Sequence, residues 1–285
     1  GLSGSVSNWV AETDGSGNII HPTQNTILRA RAMLQKRSAP IGPRKLVLDP
    51  NTMSSLAGSL TGLLNPAPVI SKQYMEGQMY DALGFRMFED QTVVKHTSGS
   101  FSAGTVNGAG QTGTSDLVTN AITGTLKKGD IITIADVNAV NRLTRQSLGE
   151  LQQFVVTDDV ANGATSIPIY PALVAPVTPG VPVQYQTVDA SPANSAAIDL
   201  LAPASTTFIR NIAFVPDAIT MATADLELPE GVWERSRSMF DGISMRSILA
   251  YQPGTDQAID RLDVLFGYLG VRPEWGVQIP DSTTA

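Results

Sequence analysis

The sequence predicts an α+β chain with a small β-barrel inserted into it. Three observations carry that reading. Residues 23–37 show a helical apolar period followed by a short apolar strand. Helical periodicity then vanishes over 98–200, where short β-branched runs alternate with turn residues. Strand-forming runs resume after 201, and neither flank reads as a complete domain without the other. At 285 residues and 42% hydrophobic, the chain is long enough for one large domain or two modest ones, at roughly 100–200 residues each.

The elements follow in order. Residues 1–20 are rich in Gly, Ser and Asn and read as loop. His21-Pro22-Thr23 opens a helix whose face carries Ile27, Ala30 and Leu34, with Leu28 and Met33 alongside. Lys36 and Arg37 complement the carbonyl end of its dipole, and Pro40 and Pro43 stop it. Lys45–Leu48 is a short strand, Pro50 starts a helix to about Leu64, and 69–83 reads as a third helix. Gly84–Phe88 leads into a strand ending near Val94. Residues 98–125, dominated by Gly, Ser, Thr, Ala and Asn, read as a long loop. Strands are expected at 130–134, 151–156, 166–170 and 183–188, enough for a small barrel. Beyond that, 208–215, 240–251 and 271–279 read as strands. Segments 216–228 and 258–267 fit helix or strand equally.

Charge narrows the function. Lys and Arg total 19 against 26 Asp and Glu, a net −7, and charged residues make up 16% of the chain against a usual ~25%. Net charge runs from +2 over 1–97 to −4 over 98–200 and −5 over 201–285. An acidic, charge-poor chain argues against wrapping free nucleic acid, which needs clustered cations. It suits a protein that hides surface against partners. With no cysteine, disulfides, thiol catalysis and thiolate metal sites are excluded. Two distant histidines argue against a multi-histidine metal centre, and no apolar run approaches the ~18 residues of a membrane helix.

Individual motifs yield no enzyme. Gly108, Gly110 and Gly113 match GxGxxG, but no helix pattern follows to hold a pyrophosphate, so a surface loop is expected. Asp256, Asp260 and Asp263 would share one face of a helix and offer oxygens to a hard cation. A solvated face offset by Arg261 is the simpler expectation. Asp158-Asp159 reads as a turn. His21 and His96 lack a GxSxG or HExxH partner and read as a loop residue and a strand end. The basic group Arg29, Arg31, Lys36, Arg37, Arg44 and Lys45 has no interleaved aromatic to stack bases, so it reads as a helix face pairing with acids. Trp9, Trp233 and Trp275 are scattered, as core or interface residues are. No catalytic, cofactor-binding or metal residue is assigned.

A resemblance emerges from the order of these segments. Helix, then Pro40–Pro50 (PIGPRKLVLDP), then helix, then Gly84-Phe85 before a strand resembles the apical domain of tailed-bacteriophage major capsid proteins with the Hong Kong 97-like fold. Leu126–Asn141 (LKKGDIITIADVNAVN), Thr144–Ser147 (TRQS) and Gly149–Phe154 (GELQQF) are similar to the inserted barrel of coat proteins of the phage P22 type. Arg210–Ala218 (RNIAFVPDA), Arg261–Gly267 (RLDVLFG) and Val271–Trp275 (VRPEW) look like the end of such coats. The resemblance covers roughly residues 24–279.

The resemblance implies a structural subunit that forms hexamers and pentamers of an icosahedral head around packaged double-stranded DNA. It implies a scaffolding protein and a portal as further partners, no membrane, a place in the virion, and host cytoplasm during assembly. It divides the chain into a loop or N-terminal remnant (1–23), the first part of an apical domain (24–97), an inserted β-barrel (98–200), an apical return (201–229) and peripheral-domain strands (230–285). Asp116, the one ionisable residue of the 98–125 stretch, is the expected charged contact with a neighbouring capsomer. Such coats begin with an N-terminal arm, an extended loop and a spine helix. Nothing before Thr23 supplies these, so the sequence is expected to be the C-terminal part of a longer coat protein. The competing reading is a β-rich surface adhesion module without shell assembly.

Overall fold

The computed structural model describes residues 2–59, 81–177, 181 and 183–283. The chain divides into two compact units, Ile219–Val271 and the remainder. Among the described residues it is mostly β, with two α-helices.

The larger unit is built around β10 (Thr207–Phe214), a strand buried on both sides. Its neighbours are β15 (Gly276–Ser282) on one edge and β1 (Lys45–Leu48) on the other, both antiparallel. β4 (Lys95–Thr97) pairs with the start of β10 at residues 207–209, beside the stretch that β1 pairs. β1 pairs in parallel with β3 (Phe85–Glu89), and β2 (Asp81–Ala82) finishes the sheet. Helix α1 (Gln24–Lys36) buries Ile27, Ala30 and Leu34 completely, the face its apolar spacing predicts. Helix α2 (Pro50–Ser59) adds Met53 and Leu56. These side chains meet Leu46, Leu48, Ala213, Val277 and Ile279 in one core.

The opposite side of β10 faces a second layer. β5 (Thr114–Val118), β8 (Ser166–Leu173), β7 (Ser147–Val156), β6 (Ile131–Val140) and β9 (Ile198–Leu200) form one curled sheet in that order. Both ends of this sheet reach the same segment. Val106 N donates to Ala196 O and Ile198 N to Gly104 O on the β9 side. Asn107 N donates to Val118 O and Asn120 N to Thr105 O on the β5 side. Shared hydrogen bonds close the sheet into a barrel with its own core, which includes Phe101, Val106, Leu117, Phe154 and Ile167.

Several expectations change here. The 98–125 stretch is not a free loop: Phe101, Val106, Leu117 and Ile122 are buried and β5 lies within it. Closing the barrel needs these residues as its seam, and small side chains let the backbones cross. A Cβ on Gly99 would sit 2.0 Å from Thr125 O, and one on Gly124 would sit 2.1 Å from Ser100 O. The exposed part is the tip around residues 107–113, where Gly108, Gly110 and Gly113 all take positive φ. Segment 183–188 does not form a strand; Val188 makes one bridge, to Ala139. The first twenty residues lack long elements yet are packed in. Val6, Trp9 and Val10 are buried, and Trp9 bridges β15 at Gln278. The 69–83 helix expectation lies outside the described residues except at its end, where Asp81 and Ala82 form β2. The far end of the second predicted helix, beyond Ser59, also lies outside them.

The smaller unit holds β11 (Ile219–Ala224), β12 (Glu234–Phe240), β13 (Ile243–Gln252) and β14 (Gln257–Gly270), all antiparallel, in the order β11-β14-β13-β12. The two segments that fitted helix or strand are thus strands. Asp260 and Asp263 stand on opposite sides of β14, because an odd spacing changes side on a strand, and Asp256 lies in the preceding turn. The helical carboxylate face does not exist.

Candidate assembly surfaces

Two buried carboxylates clasp the barrel to the sheet. Asp130, at the turn before β6, has a fully buried side chain. It accepts from Gly99 N at 2.9 Å and Lys127 N at 2.8 Å, and its other oxygen lies 2.7 Å from His96 Nε2. His96 sits on β4, the strand that leads into the barrel, and packs edge-on against Phe208 of β10. Arg210, also on β10, donates to Gly129 O at 2.9 Å. Burial lowers its pKa to about 10, and the charge of Asp130 opposes that shift. Ser98 Oγ accepts from Thr206 N at 3.0 Å, tying the incoming and outgoing chains together.

The second clasp is Glu274, before β15. Its carboxylate accepts from Arg142 at 2.8 Å and from the Tyr170 hydroxyl at 2.9 Å, both on the barrel side. Burial first, then the Glu274 charge, push the Tyr170 phenol pKa up. Trp9 adds a third tie: its N–H donates to Gln153 Oε1 of β7 at 2.7 Å, and Gln153 Nε2 donates back to Trp9 O at 3.0 Å. Beneath these ties Trp9, Ile19, Ile131, Val155, Ala202 and Phe208 form a third apolar cluster. The barrel is therefore held on the sheet by buried charge and aromatic contact.

The histidines are both accounted for by carboxylates. His21 Nδ1 lies 2.7 Å from Asp281, which also accepts from Thr52 within the α2 layer. Among the described residues no three His, Asp or Glu group as metal ligands. The basic concentration is partly drawn into pairs with other side chains. Lys36 pairs with Glu150 and Arg37 donates to Gln152 Oε1, while Lys45 lies over Phe88. Arg37, with Arg29 and Lys36, lines a cleft of about 450 Å³ between α1, the N-terminal segment and β7. Burial lowers its pKa to about 10, and Glu150 opposes the shift. Trp9 is core, Trp275 packs against the sheet core, and Trp233 is exposed and stacked on Tyr251 at 5.3 Å.

Asp116 lies exposed on β5, at one side of the barrel, close to the 107–113 tip. Asp158-Asp159 sits in a bend rather than a hydrogen-bonded turn, and Asp159 takes the Lys128 N–H and an ion pair with Lys127. Sequence reasoning missed Asp130 and Glu274. Each is a lone acid in the chain, and its partners stand 31 or more residues away for the Gly99 contact and 104 or more for Tyr170 and Arg142. The one local signal is the Lys-Lys-Gly-Asp turn before β6.

Buried acids spent on internal clasps, a barrel projecting a charged residue, and a sheet with large apolar side chains in the open are features of a structural protein that works by surface burial. The family model described as "P22 coat protein - gene protein 5" matches residues 2–281. The chain belongs to the P22 coat protein family and is a structural capsid protein of a bacteriophage virion, which sets aside the adhesion-module reading. A solved structure described as the CUS-3 coat protein I-domain is similar at 27% identity, with a TM-score of 0.29, over 36% of this chain and 96% of that one. None of the curated proteins matches. Among the described residues no helix is long and apolar enough to cross a membrane.

Proposed function

We propose that this coat subunit forms hexamers and pentamers that tile an icosahedral head around double-stranded DNA, with a Hong Kong 97-like fold and no catalytic role. The family match over residues 2–281 carries this reading. Residues 24–97 and 201–229 serve as the apical domain at the capsomer centre, and 230–285 supply peripheral strands and, through β15, a strand that returns to the β10 sheet. The barrel of 98–200 stands on the outside. Scaffolding protein and portal join it during assembly in the host cytoplasm, and the DNA is enclosed without sequence-specific contact. Each contact between subunits can be weak, because closure of the shell makes many act together.

Asp116 is the proposed charged contact with an arginine of a neighbouring capsomer. Its exposed place near the barrel tip, with a side chain for which no internal salt bridge is found among the described residues, supports that role. Sedimentation of the protein from its native source, with negative-stain microscopy of the fast fraction, tests the whole reading. Uniform shells containing this chain are expected; a slow species without particles refutes it. Asp116→Ala is expected to leave the subunit folded and to lower the temperature at which shells come apart. Variant shells as heat-resistant as the parent would remove Asp116 from the contact.

A further inference from the structure

Two Asn-Gly pairs occur in the sequence, Asn107-Gly108 and Asn162-Gly163. Such a pair carries a reaction in its own backbone. A glycine has no Cβ to keep its nitrogen from the carboxamide carbon of the residue before it. At the first pair, Gly108 N bonds to Asn107 Cγ and the Cγ–Nδ2 bond breaks. Ammonia leaves, carrying the proton that Gly108 N gives up. Water then opens the five-membered succinimide at either carbonyl, which yields aspartate or its β-linked isomer. Water is the sole co-reactant, and nothing is oxidised or reduced.

Local sequence does not separate the two pairs. Both asparagines are exposed, and both glycines take positive φ, 83° and 80°. A Cβ on either glycine would meet nothing within 4 Å. The fold does separate them. Asn162 is fastened at both reacting groups. Its Oδ1 accepts from Gly124 N at 2.8 Å, which fixes the carboxamide on the barrel seam. Gly163 N donates to the backbone oxygen of Ile122 at 2.9 Å, and Ile122 is buried. Ring closure there breaks the seam at two points.

Asn107 begins the glycine-rich tip. Its backbone is held, with N donating to Val118 O at 3.0 Å and O accepting from Gln111 Nε2 at 2.9 Å. Its carboxamide has no hydrogen bond among the described residues, so Cγ is free to turn toward Gly108 N. Gly108 N donates to Asn194 Oδ1 at 2.9 Å, and Asn194 is exposed. An exposed side chain changes rotamer within nanoseconds, whereas a barrel seam opens only with the unit it closes.

We propose that Asn107 is a site of spontaneous deamidation, with Asn194 as the latch that slows it and Asn162 shielded by the barrel seam. The reaction adds a second carboxylate to the part of the barrel that carries Asp116. It needs only the folded subunit and is independent of shell assembly.

The test is peptide mapping of the purified full-length subunit, folded and in urea, after timed incubation in mildly alkaline buffer made with heavy-oxygen water. In the folded protein the Asn107 peptide is expected to gain the label about fivefold or more faster than the Asn162 peptide, the factor that one further net hydrogen bond to break implies. In urea the two rates are expected to converge, because both pairs then lack the fold. Asn194→Ala, which removes an exposed side chain, is expected to raise the folded Asn107 rate by about fivefold on the same ground. Equal rates in the folded protein, or no label at Asn107, overturn the proposal. A ratio that persists in urea assigns the difference to neighbouring residues and overturns the shielding by the seam. An unchanged rate in Asn194→Ala, with circular dichroism matching the parent, overturns the latch.

Discussion

At the residue scale, the decisive groups are acids whose partners include groups far away in sequence. Asp130 accepts from both Gly99 N and Lys127 N. Asp130→Ala leaves one buried and one part-buried donor unmet and His96 without its partner, so whole-chain stability in urea is expected to fall by about 2–4 kcal/mol. Asp130→Asn keeps one carbonyl acceptor and should recover part of that loss; equal midpoints for wild type and Asp130→Ala would refute the clasp. Acid should also weaken the fold. The carboxyls of Asp14, Asp90 and Asp159 are held below their ordinary value of 3.8, chiefly by hydrogen bonds from Asn18, Thr92 and the Lys128 backbone respectively. A lowered folded-state pKa means the unfolded chain takes up protons first. The stability these groups contribute is present above the ordinary carboxylate pKa and is lost as pH falls through the folded values. The denaturation midpoint is therefore expected to begin dropping as pH falls below the ordinary carboxylate range.

At the element scale, the barrel and the helix layer each rest on a core of their own. Phe154 is fully buried in the barrel core, and Phe154→Ala is expected to cost about 3–5 kcal/mol, read by urea unfolding. Because the seam closes within 98–200, the excised segment should show a β spectrum in circular dichroism; a coil spectrum would mean that the clasps, not the core, hold the barrel. Helix α1 was legible because Ile27, Ala30 and Leu34 repeat at the helical period and do lie at zero exposure. Strands β1, β8 and β10 were legible from dense runs of apolar and β-branched residues. The 98–125 seam was not, because Gly, Ser and Thr enable close crossing as well as flexibility, and composition does not separate the two. Segment 258–267 was ambiguous because its apolar residues stand at positions that suit either period; pairing with β13 decided for strand.

At the scale of the whole molecule, a net −7 on a chain with 16% charged residues keeps free subunits apart by weak long-range repulsion. Salt shortens that repulsion, with a screening length of about 10 Å at 0.1 M and about 3 Å at 1 M. Light scattering is expected to report faster assembly as salt rises from low to moderate concentration. A rate that falls with salt would mean that attractive charge contacts such as the one proposed for Asp116 govern assembly.

What the sequence determined by itself is the chemistry that was ruled out and the family pattern. An acidic chain without cysteine, with two isolated histidines and an ordered series of coat-like segments, points to a structural subunit before any coordinate is considered. The tertiary structure decided which charges are tools of folding and which remain on the surface. His21, His96, Asp130, Glu274 and Asp281 are drawn into internal pairs, whereas Asp116 stays outside. It also decided which apolar residues find a core and which stand exposed on β13 and β14. The physical reason is range: a helical period or a turn is written within a dozen residues, whereas a clasp or a sheet face joins residues that only the folded chain brings together.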